Sequence, residues 1–234
     1  MLESLLYGDA VFETLRVLGG RVLAVERHLT RMERTCQKLE FSRQRTKEAL
    51  EAIENLSREA DGMWRVTVSR DADLFGDYQG GVLKTFREYT RPQSPELVTL
   101  SGYYFPDDTW AEIKSTSYIR NMEARRAAMN LGADDALMVS QDGRVGEAST
   151  SNCFVVFGET IVTPSIQGIL PGTRRAAALE LLAVDVRPLM VEELKYATGV
   201  VLSSSIGFRA AKSLDGRQLD QSVIEAFERC EGAL

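Results

Sequence analysis

One histidine, three cysteines and six prolines are all that 234 residues hold, and each shortage removes a class of chemistry. With His28 alone, a histidine-based triad or metal centre has too few parts. Cys36, Cys153 and Cys230 are too few and too scattered for a disulfide framework or a zinc site. No apolar run approaches the ~20 residues of a spanning helix, so no membrane partner is expected. No lysine or arginine block interrupts the net charge of −6, which argues against nucleic acid as a partner. The glycine patterns G-x-x-x-x-G-K-[ST] and G-x-G-x-x-G are missing, which disfavours ordinary nucleotide binders. The opening MLESLLYGDAVF carries no basic stretch and no cleavage signal. A secretory leader is therefore not expected, and a cytoplasmic location is.

What remains is an ordinary globular composition, 44% hydrophobic and 26% charged, long enough for one large or two small domains. Tyr7 to Val17 alternates from Phe12 onward and reads as a strand. Gly19-Gly20 reads as a turn and Arg21 to Val25 as a second strand. A helix is expected from about Arg27 to Leu39, with Leu29, Met32, Cys36 and Leu39 at helical spacing. Another is expected from Thr46, read as its N-cap, to Ala60, with Ala49, Ile53 and Leu56 inside. Strands follow at Met63 to Arg70, Val82 to Phe86 and Glu96 to Tyr104. Thr90 to Pro95, with two prolines, reads as a linker. The expected domains are a smaller N-terminal α/β domain, residues 1–100, and a larger one, residues 101–234.

The most informative stretch runs from Ile113 to Asn152. Lys114 lies among the small hydroxyl residues Ser115, Thr116 and Ser117, just ahead of Tyr118. Arg120 to Asn130 fits a helix with Met122, Ala127 and Met129 on its apolar side and Gly132 as its stop. Ala136 to Val139 reads as a buried strand and Gln141-Asp142-Gly143 as the turn out of it, ahead of Gly146-Glu147 and Ala148 to Asn152. Cys153 to Phe157 and Thr160 to Thr163 form a hairpin. The run G-I-L-P-G-T, Gly168 to Thr173, then leads into a helix to about Leu182. A glycine ahead of a helix leaves backbone N–H groups able to hold an anion. Asp185 to Leu189 reads as a strand and Val191 to Ala197 as a turn or two of helix. Val200 to Leu202 runs into Ser203-Ser204-Ser205, Asp215-Gly216 is a hairpin turn, and Asp220 to Arg229 is a closing helix.

In this order the blocks resemble the class IV (fold type IV) pyridoxal-phosphate enzymes. That family includes branched-chain and D-amino-acid aminotransferases and aminodeoxychorismate lyase. The resemblance runs from Tyr7 to the last helix. It implies a two-lobed α+β/α/β fold, D-amino-acid-aminotransferase-like, with the cofactor between the lobes and the C-terminal lobe binding much of it. It also implies a homodimer acting on a small amino or carboxylate substrate.

The family's roles fall on particular residues here. Lys114 would carry the cofactor covalently, with Tyr118 beside it. Glu147, in a V-x-E-(small)₃-x-N turn ending at Asn152, would pair with the pyridine nitrogen. Arg31, in R-H-L-T-R, would contact the phosphate, while His28 of the same motif reads as structural. Gly172 and Thr173 would hold the phosphate from the helix start, although many relatives have threonine where this chain has Arg174. Ser204 and Ser205 fall at a second phosphate-binding turn of the family, or form a turn only. Asp71 to Gly81 corresponds to a loop over the family's active site, and reads as a lid or as an ordinary surface loop.

Chemistry gives an independent reason for this set. Pyridoxal phosphate needs an amine to hold it and a partner that keeps its ring nitrogen protonated. Arginine's planar fork suits phosphate oxygens. Phe12-Glu13-Thr14 is the F-E-T of lyases more than the F-E-G of branched-chain aminotransferases, and the short chain leans the same way. The expected activity is therefore aminodeoxychorismate lyase of folate biosynthesis, forming pyruvate and 4-aminobenzoate. Thr14 would be a substrate-side contact, and a class IV aminotransferase is the alternative. Arg91, Arg120 and Arg209 are candidates for substrate anions. A non-catalytic domain would leave Lys114, Arg31 and Glu147 as unrelated surface charges.

Overall fold

Alternate residues of β1 (Ala10–Leu18) turn to one side: Val11, Glu13, Leu15 and Val17, none more than 1% exposed. That period of two is what a strand imposes, and it puts one acid in an otherwise apolar column. The computed structural model describes residues 7–70 and 80–231. The chain divides into two units, Met1–Arg91 with Ile113–Tyr118, and Pro92–Glu112 with Ile119–Leu234.

The first unit contains β1, β2 (Arg21–Val22), α1 (Val25–Lys38), α2 (Arg43–Glu54), a 3-10 turn at Asn55–Arg58, β3 (Gly62–Ser69) and β4 (Val82–Arg87). Its antiparallel sheet has the order β2-β1-β3-β4. Val11, Leu15, Val17, Val66 and Val68 pack with Met32 and Cys36 of α1, with Ala49 and Ile53 of α2, and with Leu56. Two expected boundaries move. The second strand stops at Val22 because Ala24 takes a left-handed conformation, φ 53°, and starts the helix at Val25. The second helix starts at Arg43, not Thr46. Ser42 is the cap, its Oγ accepting from the Arg45 N–H at 3.0 Å, which satisfies an N–H that the first turn leaves without a helical partner. Of the loop Asp71 to Gly81, residues 71–79 lie outside the described residues.

The segment Ile113–Tyr118 lies along the start of β1. The Phe12 N–H donates to the Lys114 carbonyl at 2.9 Å, and the Thr116 N–H donates to the Ala10 carbonyl at 2.8 Å. β3 takes one edge of β1 throughout, while β2 pairs with the other edge only at Val17 and Leu18. The free edge at Ala10 to Phe12 is filled by the lysine segment, which satisfies backbone groups that would otherwise need water.

The second unit opens with β5 (Glu96–Ser101), α3 (Ile119–Asn130), β6 (Asp135–Val139), β7 (Val145–Ala148), β8 (Asn152–Phe157) and β9 (Thr160–Thr163). It continues with α4 (Thr173–Leu181), β10 (Val184–Val186), a 3-10 turn at Val191–Tyr196, β11 (Gly199–Ser204), β12 (Gly207–Ala210), β13 (Ser213–Leu214), β14 (Arg217–Gln218) and α5 (Ile224–Glu231). Two five-stranded sheets result, β10-β9-β8-β11-β12 and β14-β13-β5-β6-β7. Leu97, Leu137 and Val139 of one pack against Val155, Val200 and Leu202 of the other. Phe154, Phe208 and Phe227 make a separate apolar cluster with Ala178 of α4.

On α3 the buried positions are Ala124 and Ala128, while Met129 is 61% exposed. The expected stripe of Met122, Ala127 and Met129 is therefore corrected. Two alanines four residues apart let the helix approach Tyr104, Ala136 and Met138 closely, which longer side chains would prevent. The last helix begins at Ile224 rather than Asp220, because Asp220 Oδ1 accepts from the Ser222 N–H at 2.8 Å and turns the chain first. Among the described residues no helix is long and apolar enough to cross a membrane.

Candidate active site

Within the first unit, Glu13, His28 and Arg31 form one cluster, and Phe12, Lys114 and Tyr118 form another. Glu13 faces the helices and meets α1, where His28 and Arg31 are three residues apart and so share a face. Arg31 Nε donates to Glu13 Oε1 at 2.7 Å and Nη2 to Oε2 at 2.6 Å. His28 Nδ1 lies 2.7 Å from the same Oε2. Burial would raise the pKa of Glu13, but the charges of Arg31 and His28 and their hydrogen bonds outweigh it and hold it at about 2. An ionised carboxylate only accepts, so Nδ1–H is the donor. Burial also pushes the pKa of His28 down, against the opposing pull of Glu13, and the charges of Arg31 and Lys114 push the same way. At neutral pH His28 is thus a neutral, buried prop for Glu13.

Lys114 is half-buried at the edge of β1. Its Nζ lies 4.4 Å from the centroid of the Phe12 ring and 5.6 Å from that of Tyr118. The two rings meet edge to face at 5.5 Å. Thr14 lies on the same side of β1 as Phe12, directly opposite Arg65 of β3. The first unit thus sets Lys114 beside Tyr118 and Phe12, with Thr14 two residues along the strand from Phe12, while Arg31 is held by Glu13.

Within the second unit, Asn152 is the junction. Its Nδ2 donates to Glu147 Oε2 and to the Leu170 carbonyl, each at 2.8 Å. Glu147 Oε1 accepts from the Leu170 N–H at 3.4 Å. This ties the acid to the loop that starts α4. Gly172 is the N-cap of α4 and offers no side-chain cap, and a Cβ there would lie 2.0 Å from Asn152 Oδ1. Thr173 and Arg174 are buried in the first turn. Arg174 Nη2 donates to the Ser205 carbonyl at 3.3 Å, linking the helix start to the β11–β12 turn. Ser204 Oγ is buried there and has no hydrogen-bond partner among the described residues.

These features fit pyridoxal phosphate. An uncapped helix start, a buried hydroxyl seeking a partner and a nearby carboxylate are what a phosphate and a protonated ring nitrogen require. Arg31 and Lys114, the other groups the resemblance assigns to the cofactor, belong to the first unit. Among the described residues no group of histidine, cysteine, aspartate and glutamate could hold a metal ion. Cys153, close to Glu147, has its thiol pushed up to about 12 by burial and by that acid, so it is no nucleophile.

The arginines named for substrate anions fare differently. Arg120 donates to Asp108 Oδ2 at 2.6 Å and stacks on Phe105. Arg209 donates to Ser151 Oγ at 3.2 Å and feels the charge of Asp135. Arg91 is exposed. Sequence reasoning passed over Glu13, Arg65 and Arg175. The signal for Glu13 was available: an acid in the inward register of an alternating strand. Arg175 is buried on Thr163 Oγ1 and the Pro164 carbonyl, within reach of the Glu147 charge.

Comparison with known proteins gives a family-wide match. The family model described as amino-transferase class IV matches residues 10–214. A branched-chain-amino-acid aminotransferase-like protein of Arabidopsis thaliana is 26% identical over 95% of this chain, and this chain spans 44% of its length. The aminodeoxychorismate lyase of Bacillus subtilis is 30% identical over 76% of this chain and 66% of its own length. The PLP-bound form of a hypothetical aminotransferase from Mycobacterium tuberculosis superposes with a TM-score of 0.82 at 26% identity, covering 99% of this chain and 90% of that one.

Proposed function

The chain belongs to the class IV aminotransferases and is a pyridoxal-phosphate-dependent enzyme of that fold, and we propose that within the family it acts as a lyase on aminodeoxychorismate. Pyruvate and 4-aminobenzoate are the products. The observation that carries this reading is Thr14, the third residue of F-E-T. Its side chain lies on the Phe12 side of β1, the side that Lys114 overhangs. The likeness to the Bacillus subtilis lyase supports the same reading.

Pyridoxal phosphate, when bound, supplies a sink for electrons released beside the substrate's nitrogen. The protein's residues do the rest. Arg31, the start of α4 and Ser204 would hold the phosphate, and Glu147 would keep a proton on the ring nitrogen. Lys114 would first hold the cofactor and then move a proton on the substrate, a task that needs its neutral amine. Phe12 and Tyr118 flank that amine and restrict the directions from which water reaches it. The substrate's ring would lose one proton and its C–O bond to the enolpyruvyl group, and the departing enolpyruvate would take up one proton to become pyruvate. Aromatisation makes the step one-way.

The test is to incubate purified protein with aminodeoxychorismate and no 2-oxo acid. Equal amounts of pyruvate and 4-aminobenzoate are expected, and neither in Lys114→Ala. Transamination is the second reading, favoured by the likeness to the Arabidopsis protein. Failure to release pyruvate, with amino-group transfer from branched-chain or D-amino acids to 2-oxoglutarate, would establish it instead.

A further inference from the structure

α4 starts with an excess of positive charge. Both arginines of its first turn are buried, Arg174 at 4% exposure and Arg175 at 5%, and that turn carries no acid. The start of a helix is itself the positive end of its dipole, equivalent to about half a unit charge. Two guanidiniums withdrawn from water beside that pole repel it and each other. Burying a cation is costly unless an anion answers it.

Arg175 is answered within the protein. Its Nε donates to Thr163 Oγ1 at 3.3 Å and its Nη2 to the Pro164 carbonyl at 2.8 Å, and it lies within reach of the Glu147 charge. Arg174 goes to a different loop. Its Nη2 donates to the Ser205 carbonyl at 3.3 Å, and its Cζ lies 5.5 Å from the centroid of the Phe208 ring. Neither of these two groups carries a charge. Next to that carbonyl in the chain is Ser204, whose Oγ is buried without a hydrogen-bond partner among the described residues. A brace for the β11–β12 turn needs only an N–H, which glutamine would supply without burying a charge. Many relatives have a neutral threonine at this position, so the cation is a feature of this chain.

We propose that Arg174 reads the cofactor's phosphate together with Ser204, and that its charge makes this enzyme select pyridoxal phosphate over unphosphorylated pyridoxal. The inference rests on the reading that the start of α4 holds the phosphate. A phosphate there answers three demands at once: the helix dipole, the buried cation and the Ser204 hydroxyl. The bond to the Ser205 carbonyl fixes one N–H of the guanidinium, and its planar fork can present others to phosphate oxygens.

The test strips the holoenzyme of cofactor by dialysis and titrates it back with pyridoxal phosphate or with pyridoxal, read by visible absorbance. Wild type should prefer the phosphorylated form. Arg174→Gln keeps an N–H for the Ser205 carbonyl but no charge. It should weaken pyridoxal phosphate roughly ten- to a hundredfold, the worth of one charged hydrogen bond, and leave pyridoxal binding as in wild type. Arg174→Lys keeps the charge without the fork and should recover part of the loss. An equal loss for both forms, or no loss, overturns the proposal, because a brace for the turn acts on both alike. Should Arg174→Gln fail to fold, Arg174→Lys decides: a narrowed preference supports the proposal, and the full wild-type preference overturns it. No preference in wild type overturns the placement of the phosphate at α4, and this proposal with it. A wild-type preference that survives in the variants overturns the role of Arg174 alone. Pyruvate release from aminodeoxychorismate judges the lyase reading separately.

Discussion

Glu13 grips Arg31 through two parallel contacts, Oε1 to Nε at 2.7 Å and Oε2 to Nη2 at 2.6 Å. Fork-to-fork pairing of this kind fixes the plane of the guanidinium as well as its position. His28 completes the arrangement from the same face of α1, donating to Oε2. The residue read as a phosphate contact is therefore held before any ligand arrives, by an acid supplied from β1.

Acid stability should carry the mark of this cluster. Below pH 6.5 an unfolded chain protonates His28 while the folded chain resists, so stability falls as pH drops from there. Glu13 adds a second loss. Its folded pKa is lowered from 4.5 to about 2, so its contribution is present above 4.5 and disappears as pH falls towards 2. The Glu13 part is on the order of 3 kcal/mol. Urea unfolding midpoints between pH 7 and 3 measure it, against the double variant Glu13→Gln, His28→Gln. An equally steep decline in the double variant would remove the cluster as the cause.

Arg31→Lys keeps the charge but not the fork. One ammonium cannot reproduce two parallel contacts to Glu13, and its direction towards a phosphate is no longer fixed. Cofactor affinity should fall by roughly ten- to a hundredfold, the worth of one charged hydrogen bond. Equilibrium dialysis of pyridoxal phosphate reads this directly, with Arg120→Lys as a surface control. Equal affinity in Arg31→Lys and wild type would place the phosphate elsewhere.

Much of this was legible in the chain because local pattern decided it. β1, the hairpin of β8 and β9, the Gly172 helix start and the order of motifs that marks the family all follow from short stretches. Glu13 could have been found the same way, as the one acid among Val11, Leu15 and Val17. The pairing of Lys114 with Phe12 could not, because it joins backbone groups about a hundred residues apart and no local period encodes it. On α3 the hydrophobic reading chose the larger Met129. Closeness to the sheet selected Ala124 and Ala128, since packing there is limited by distance rather than by hydrophobic area. The stacking of Arg65 on the Phe12 ring is a cross-strand property in the same sense. It exists only once the register of β1 and β3 is set.

Gly172→Ala should be costly for a steric reason alone. The backbone there, φ −68° and ψ 134°, is open to any residue. A Cβ would, however, lie 2.0 Å from Asn152 Oδ1. Asn152 cannot step aside without breaking its bonds to Glu147 and the Leu170 carbonyl. A loss of about 1–3 kcal/mol is expected, typical of overpacking a filled site. The melting temperature should fall accordingly, together with cofactor retention. An unchanged melting temperature would mean that the Asn152 junction is looser than its contacts indicate.

Glu147→Gln separates holding the cofactor from using it. The carboxylate receives donors on both oxygens, Asn152 Nδ2 on one and the Leu170 N–H on the other. Glutamine has a single oxygen, so its NH₂ must face one of those donors and leave it unsatisfied. The structural cost should be about 1–3 kcal/mol. Arg31, Lys114 and the start of α4 are untouched, so the variant should still bind pyridoxal phosphate and show its visible absorbance. Turnover should nevertheless drop by orders of magnitude. A neutral amide does not keep a proton on the ring nitrogen as a carboxylate does, and the electron sink weakens. Cofactor titration and a pyruvate assay on the same preparation give the two readouts. Loss of binding and turnover in equal measure would make Glu147 a structural post only. Full turnover with normal binding would mean that another residue holds the ring nitrogen.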